Sequence, residues 1–254
     1  MFYNTVSLYG QVTEKPVIHK IPGESDGDGH FSVKILRRPY INNDGVFSGK
    51  LHFSSPVVFV RGKTLMRKAA KIRKGDMVSI RGMLLSCDIK KRAECDCGNV
   101  KAVPGTLTYV NALNIRRCEK GVDQIRGSEL LKENAIESNT VILFGSLRRA
   151  PEIYEPEHGK IKRALYQISV YRTARKIGDF IANNKPEDYI WVKNFGSQAA
   201  GVEKYAKGDR VFIEGSIDTR AITQTTQCDK CGNEYEWDES VTEVIPYLTE
   251  HFRK

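Results

Sequence analysis

Apolar and polar positions alternate with a period of two along much of the chain, the pattern of strands with one buried face. Val6, Leu8, Gly10 and Val12 alternate with Ser7, Tyr9 and Gln11, and Val141, Leu143, Gly145 and Leu147 do the same later. A glycine inside such a run predicts a bulge or sharp bend, and Pro16 and Pro151 close the two runs. Second strands are expected near 31–38 and 163–172, and third strands near 56–61 and 189–195. Fourth strands are expected over Met77–Leu85 and Arg210–Thr219, each followed by a long polar, cysteine-bearing segment and a fifth strand. Between the third and fourth strands the pattern turns helical: Ala199, Val202 and Ala206 fall on one face. A Lys-Gly-Asp triplet follows in both halves, at 74–76 and 207–209, and its glycine suits a left-handed turn. Residues 119–137 are charged, lack alternation and read as a linker with a helical turn at Glu129–Asn134.

These parallels are a repeat. Asn4-Thr5-Val6 returns as Asn139-Thr140-Val141, 135 positions on, and Lys74-Gly75-Asp76 returns as Lys207-Gly208-Asp209, 133 positions on. A shift that changes by two residues over some seventy positions marks a duplicated domain. The expected division of the 254 residues is a first domain over 1–118 with a cysteine-bearing hairpin, a linker over 119–137 and a second domain over 138–254 with a similar, knuckle-like hairpin. The formal net charge of +9 suits a polyanionic partner. No run approaches the roughly 18 apolar residues of a membrane span. The opening Met1-Phe2-Tyr3-Asn4 lacks signal-peptide features, so a cytoplasmic protein is expected, with six cysteines as thiols or metal ligands.

Five strands with a helix between the third and fourth is the layout of an OB-fold barrel. The fold class expected is therefore all-β with one helix per domain, as two tandem five-stranded OB-fold barrels. The segment Tyr189-Ile190-Trp191-Val192-Lys193-Asn194-Phe195-Gly196, then a helix, then Lys207-Gly208 through Glu214-Gly215 to Thr219-Arg220, resembles the bacterial single-stranded DNA-binding protein family. The resemblance covers most of 139–220 and is weaker over 4–85. It implies an OB-fold that binds single-stranded DNA, and, because family members assemble four OB-folds, a homodimer of this two-domain chain. It does not extend to the family's acidic tail, since the sequence closes Thr249-Glu250-His251-Phe252-Arg253-Lys254.

Side chains alternate across a strand, so Tyr189, Trp191, Lys193 and Phe195 point one way and Ile190 and Val192 the other. Aromatics with a cation are what stacking on unpaired bases requires. The competing reading is packing under a loop or at a subunit interface. The first half carries a reduced stripe, Phe59 and Arg61, for which weaker binding is expected. Arg37, Arg38 and Tyr40, and Tyr171, Arg172, Arg175 and Lys176, are candidates to track a phosphate backbone. The cluster Arg67, Lys68, Lys71, Arg73 and Lys74 reads as a solvated helix face.

The cysteines form a second constellation. Cys228-Asp229-Lys230-Cys231-Gly232 is a knuckle of zinc-ribbon type, and Cys95-Asp96-Cys97-Gly98 stands at the equivalent place. Tetrahedral zinc needs four ligands. One solution lies within the first domain, Cys87, Cys95, Cys97 and Cys118, leaving Cys228 and Cys231 with His251 as a third ligand. The other shares one ion between the two knuckles. Either role is structural.

No Gly-x-x-x-x-Gly-Lys-Ser/Thr, His-Glu-x-x-His or Gly-x-Ser-x-Gly occurs, and no enzyme activity is expected. The leading expectation is sequence-tolerant binding of single-stranded DNA in replication, recombination or DNA transfer. The alternatives are an RNA-binding or primosome-type OB protein, and a structural subunit using its barrels for protein contacts.

Overall fold

The computed structural model describes residues 3–20, 27–37, 51–155, 161–172 and 186–253. The first half contains β1 (Asn4–Val12), β2 (Val17–Lys20), β3 (Gly27–Leu36), β4 (Phe53–Ser54), β5 (Val57–Arg61), α1 (Lys63–Ala69), β6 (Met77–Glu94) and β7 (Val100–Glu119). After α2 (Gln124–Glu133) the second half contains β8 (Asn139–Leu147), β9 (Glu152–Tyr154), β10 (Arg163–Tyr171), β11 (Glu187–Phe195), α3 (Gly196–Gly201), β12 (Arg210–Gln227) and β13 (Glu234–Phe252). β1, β3, β5, β7 and β6 pair in a closed ring, with β5 and β7 parallel. β8, β10, β11, β13 and β12 close a second ring, with β11 and β13 parallel. These are two OB-folds in tandem.

Alternation is the reason each barrel has a core. In β10 the pattern leaves Ala164, Tyr166, Ile168 and Val170 at 0 % exposure while their neighbours face outward. The glycine within each first strand sits where that strand meets the second. A Cβ on Gly145 would lie 2.5 Å from the Ser169 carbonyl oxygen, and one on Gly10 would lie 2.9 Å from that of Lys34. Backbone cannot yield as a side chain does, so Gly145→Ala is expected to lower stability by about 1–3 kcal/mol, as overpacking does. Gly201→Ala, where nothing lies within 4 Å, is the control. Equal thermal midpoints for the two variants would refute the close-approach argument.

The barrels are joined through the repeat itself. β1 pairs antiparallel with β8, and Val6 lies opposite Val141, the residue 135 positions on. A repeat that pairs with its own copy in this way places a local twofold axis at that pair. Contacts between the halves then come in related couples. Ser86 of β6 reaches the second barrel: its N–H donates to Asp188 Oδ1 and its Oγ accepts from the Tyr189 N–H, both at 2.8 Å. Thr219 of β12 reaches the first barrel in the same way: its N–H donates to Ser54 Oγ at 3.2 Å and its Oγ1 accepts from the Ser55 N–H at 2.7 Å.

The cysteine-bearing hairpins continue the fourth strands well past their expected ends at Leu85 and Thr219: β6–β7 and β12–β13 remain paired to Glu94↔Val100 and Gln227↔Glu234 as two long arms. The segment expected as a linker holds α2, capped by Asp123 and anchored through Leu130 and Leu131 beside Leu36 and Met77. Tyr205, not Ala206, follows Ala199 and Val202 into the core, because the helix stops at Gly201. The glycines of the Lys-Gly-Asp triplets do adopt left-handed backbone, with φ 88° at Gly75 and 90° at Gly208.

Candidate nucleic-acid interface and cysteine cluster

β11 buries Asp188, Ile190, Val192 and Asn194 and leaves Tyr189, Trp191, Lys193 and Phe195 half-exposed on the other face. Register adds Arg163 opposite Phe195, Gln167 opposite Trp191 and Tyr171 one step beyond Ser169, which faces Tyr189. Arg163 and Tyr171 are exposed. Arg148 and Arg149, just past β8, lean over this face. The Arg148 guanidinium carbon stands 3.9 Å from the centre of the Tyr189 ring, and that of Arg149 stands 5.5 Å from Trp191. These two arginines were not among the candidates read from the sequence. The signal was the repeat: the first half has Thr13 and Glu14 where the second has Arg148 and Arg149.

Lys193 is not a free cation on this face. Its ammonium lies 3.7 Å from Glu243, a residue also held by Arg220 through two bonds of 2.8 and 3.0 Å. Burial pulls the Lys193 ammonium below its usual value, and Glu243 opposes that shift. Lys193 therefore neutralises a buried carboxylate and packs 5.6 Å from Phe195.

In the first barrel, Val58 pairs with Val110 as Val192 pairs with Val244. Phe59 therefore takes the place of Lys193, Tyr109 that of Glu243, and Val57 that of Trp191. Phe59 packs edge-on against Tyr109 at 4.7 Å and against His30 at 5.5 Å. An aromatic pair replaces the ion pair, and Phe59 is half-buried within it. Arg61 is half-buried at the end of β5, opposite Asp28.

Two arginine candidates are corrected. Arg172 is 8 % exposed and forms two 2.8 Å bonds to Asp188, which is fully buried, and a third of 3.2 Å to the Ser86 carbonyl. Arg37, at the equivalent position, pairs with Asp218 at 3.1 Å, whose other oxygen accepts from Ser54 Oγ. Both are engaged by carboxylates where one barrel's arm meets the other barrel. Arg38, Tyr40, Arg175 and Lys176 lie outside the described residues.

The arms carry the second site. Cys95 and Cys97 at one tip meet Cys228 and Cys231 at the other, with all four sulfurs within 4.8 Å of one another. The contacts are again related by the twofold: Cys95 Sγ to Cys231 Sγ is 3.7 Å, and Cys97 Sγ to Cys228 Sγ is 3.6 Å. The knuckles share one geometry. Cys95 N–H donates to the Asn99 carbonyl and Cys228 N–H to that of Asn233, both at 2.9 Å. Gly98 and Gly232 close the turns at φ 77° and 76°. Backbone N–H groups of Cys231 and Lys230 pull the Cys228 thiol down to about 6.

Cys87 and Cys118 do not join. Cys87 packs beside Tyr109, where burial raises its thiol, and Cys118 is exposed near the base of the arm. His251 donates to or accepts from Asp209 at 2.6 Å and stacks on Tyr205 at 4.1 Å, so it is no ligand either. The single-domain set of four is thereby overturned, because β6 and β7 run side by side and carry Cys87 and Cys118 far down the arm from its tip.

Residues 138–239 match the model of the single-strand binding protein family. The chain is similar in structure to a deletion mutant of the single-stranded DNA binding protein from Thermus aquaticus, with a TM-score of 0.65, 17% identity, and 100% of this chain and 95% of that one covered. It is similar also to the wild-type protein of that organism, with a TM-score of 0.64, 15% identity and 100% and 94% covered. At these identities the likeness speaks for the tandem fold. No curated protein matches the sequence.

Proposed function

We propose that this chain, whose residues 138–239 match the model of the single-strand binding protein family, binds single-stranded DNA with little sequence preference. The observation that carries this reading is the β11 face: Tyr189, Trp191 and Phe195 half-exposed in one row, with Arg148, Arg149 and Arg163 around them. Every base has a π-face, so stacking tolerates any sequence, and the arginines meet the phosphates. The first barrel, with Val57 at the place of Trp191, contributes less. Such binding serves replication, recombination or DNA transfer by holding the strand open, in the cytoplasm, where the cysteines stay reduced. Two chains would bring four barrels together, as the family resemblance implies.

The four-cysteine cluster fits a structural zinc. A tetrahedron with Zn–S bonds of about 2.3 Å has sulfur–sulfur edges of roughly 3.8 Å, close to the 3.6 and 3.7 Å contacts. Disulfides would need about 2.05 Å. Thiolate sulfurs are soft ligands that suit zinc. The ion would tie the two arms, and so the two barrels, together.

Trp191→Ala tests the binding reading. Anisotropy of labelled oligo-dT is expected to report a loss of about 1–3 kcal/mol, the usual cost of one base stack. Oligo-U and duplex DNA are expected to bind wild type more weakly. Unchanged affinity of a folded Trp191→Ala would remove the stacking assignment, and preference for oligo-U would make RNA the ligand.

A further inference from the structure

The two barrels are copies of one repeat, so a cluster of residues that differs between them stands out. In the first barrel, α1 and the end of β7 frame a cleft of about 350 Å³, lined by Lys68, Lys71, Arg116 and Arg117 over a floor of Ile72 and Ile115. Every charged residue on its wall is a cation. Two of them are engaged internally. Lys68 donates to Asn114 Oδ1 at 2.8 Å, and Arg117 donates to the Lys71 carbonyl at 2.6 Å and faces Asp76 at 3.5 Å. Lys71 and Arg116 are exposed, and their side chains make no ion pair among the described residues.

The second barrel does not carry these cations at the equivalent positions. Register sets Arg116, opposite Ser79, against Glu250, opposite Phe212, and Arg117, opposite Val78, against His251, opposite Val211. The Lys-Gly-Asp triplets align Lys68 with Gly201 and Ile72 with Tyr205. There the Tyr205 ring stacks on His251 at 4.1 Å. Three cations of the first barrel thus correspond to a glycine, a carboxylate and a half-buried histidine.

We propose that this cleft is a second contact for the phosphodiester backbone of the bound strand, made by the first barrel and resting on the single-strand reading above. Its chemistry selects a phosphate chain over a peptide. Ile72 and Ile115 are 3 % and 2 % exposed, so the floor offers no pocket for an apolar anchor of the kind that dominates protein interfaces. Backbone recognition needs only spaced cations. The place also suits it. Asn111 of β7 pairs with Phe59, and the cleft begins three residues along at Asn114, about 10 Å away at strand rise. A strand crossing the weaker stacking face of the first barrel runs on toward these cations. The first barrel would compensate with phosphate contacts for the aromatics it lacks.

The test is the double variant Lys71→Ala, Arg116→Ala, with Lys204→Ala as the charge control at the place equivalent to Lys71. Both substituted residues are exposed, so folding should hold, and circular dichroism checks it. Affinity is measured across salt concentrations for oligo-dT of about 8 and about 35 nucleotides, respectively within and beyond the site size of one OB-fold. For the long strand the log–log salt slope is expected to become shallower by about 1.4, since each phosphate contact contributes about 0.7 on a single strand. For the short strand, held by the second barrel, the slope is expected to be unchanged, and Lys204→Ala should match wild type on both. An unchanged slope on the long strand overturns the proposal while leaving the binding function intact. So does an equal change with Lys204→Ala, which would mark a diffuse charge effect. Loss of binding to an acidic peptide without change in DNA affinity would assign the cleft to a protein partner instead. Failure of wild type to bind either oligonucleotide would instead remove the function itself.

Discussion

Replacing Arg172 with alanine is expected to lower folding stability by about 3–5 kcal/mol, the usual penalty for stripping one partner from a buried pair. Asp188 is fully buried, and the guanidinium grips both of its oxygens. Without Arg172, among the described residues a single Ser86 N–H is left to satisfy it. The damage should also spread across the barrels, because Ser86 accepts from the Tyr189 N–H and so fixes the strand that carries the stacking face. Urea unfolding measures the loss. Arg172→Ala, Asp188→Ala should recover part of it, since the orphaned charge is removed along with its partner. Arg37→Ala, whose pair with Asp218 is more exposed, should cost far less. A melting profile for Arg172→Ala within error of wild type would return this residue to the class of solvent cations.

The contrast between these arginines and the stripe shows what a single sequence can carry. The Tyr189–Phe195 face was legible because strand alternation is local: five outward and four inward side chains alternate over nine residues. The barrels were legible for the same reason, doubled by the repeat. Arg172 and Arg37 were not. A basic residue at a strand end looks the same whether it meets water or a carboxylate, and Asp188 and Asp218 lie 16 and 181 positions away. The length of the arms was missed because Thr223–Gln227 is polar on both faces. A strand there is held by pairing across the hairpin and leaves no apolar period to read. Lys193 was placed on the correct face, but Glu243 reaches it from β13, fifty residues on.

Metal content will separate the two cysteine arrangements most sharply. Protein purified without chelator is expected to hold one zinc per chain. Cys95→Ser, Cys97→Ser, Cys228→Ser and Cys231→Ser should each release it, whereas Cys87→Ser and Cys118→Ser should retain it. The reason is geometric: the first four sulfurs share one centre, and the other two sit along the arm. The effect should be large, because structural zinc contributes on the order of 10 kcal/mol in small zinc-binding peptides. Little else orders the tips. Their buried cluster is only Ala93, Cys95, Val103, Cys228 and Tyr235, supported by Trp237. Salt bridges there join a basic arm to an acidic one, Lys91 to Glu239 and Lys101 to Asp229, and the second is partly exposed. Chelation should therefore accelerate amide exchange over residues 92–103 and 225–237 while the barrels stay protected, since their shared core is separate from the tips. Chelator-free protein without zinc would falsify the clasp. Loss of metal from Cys118→Ser, with retention in Cys228→Ser, would restore the single-domain site. If the tips tie the barrels together, chelation should also weaken binding to long oligo-dT more than to short, because only a long strand must engage both barrels at a fixed separation.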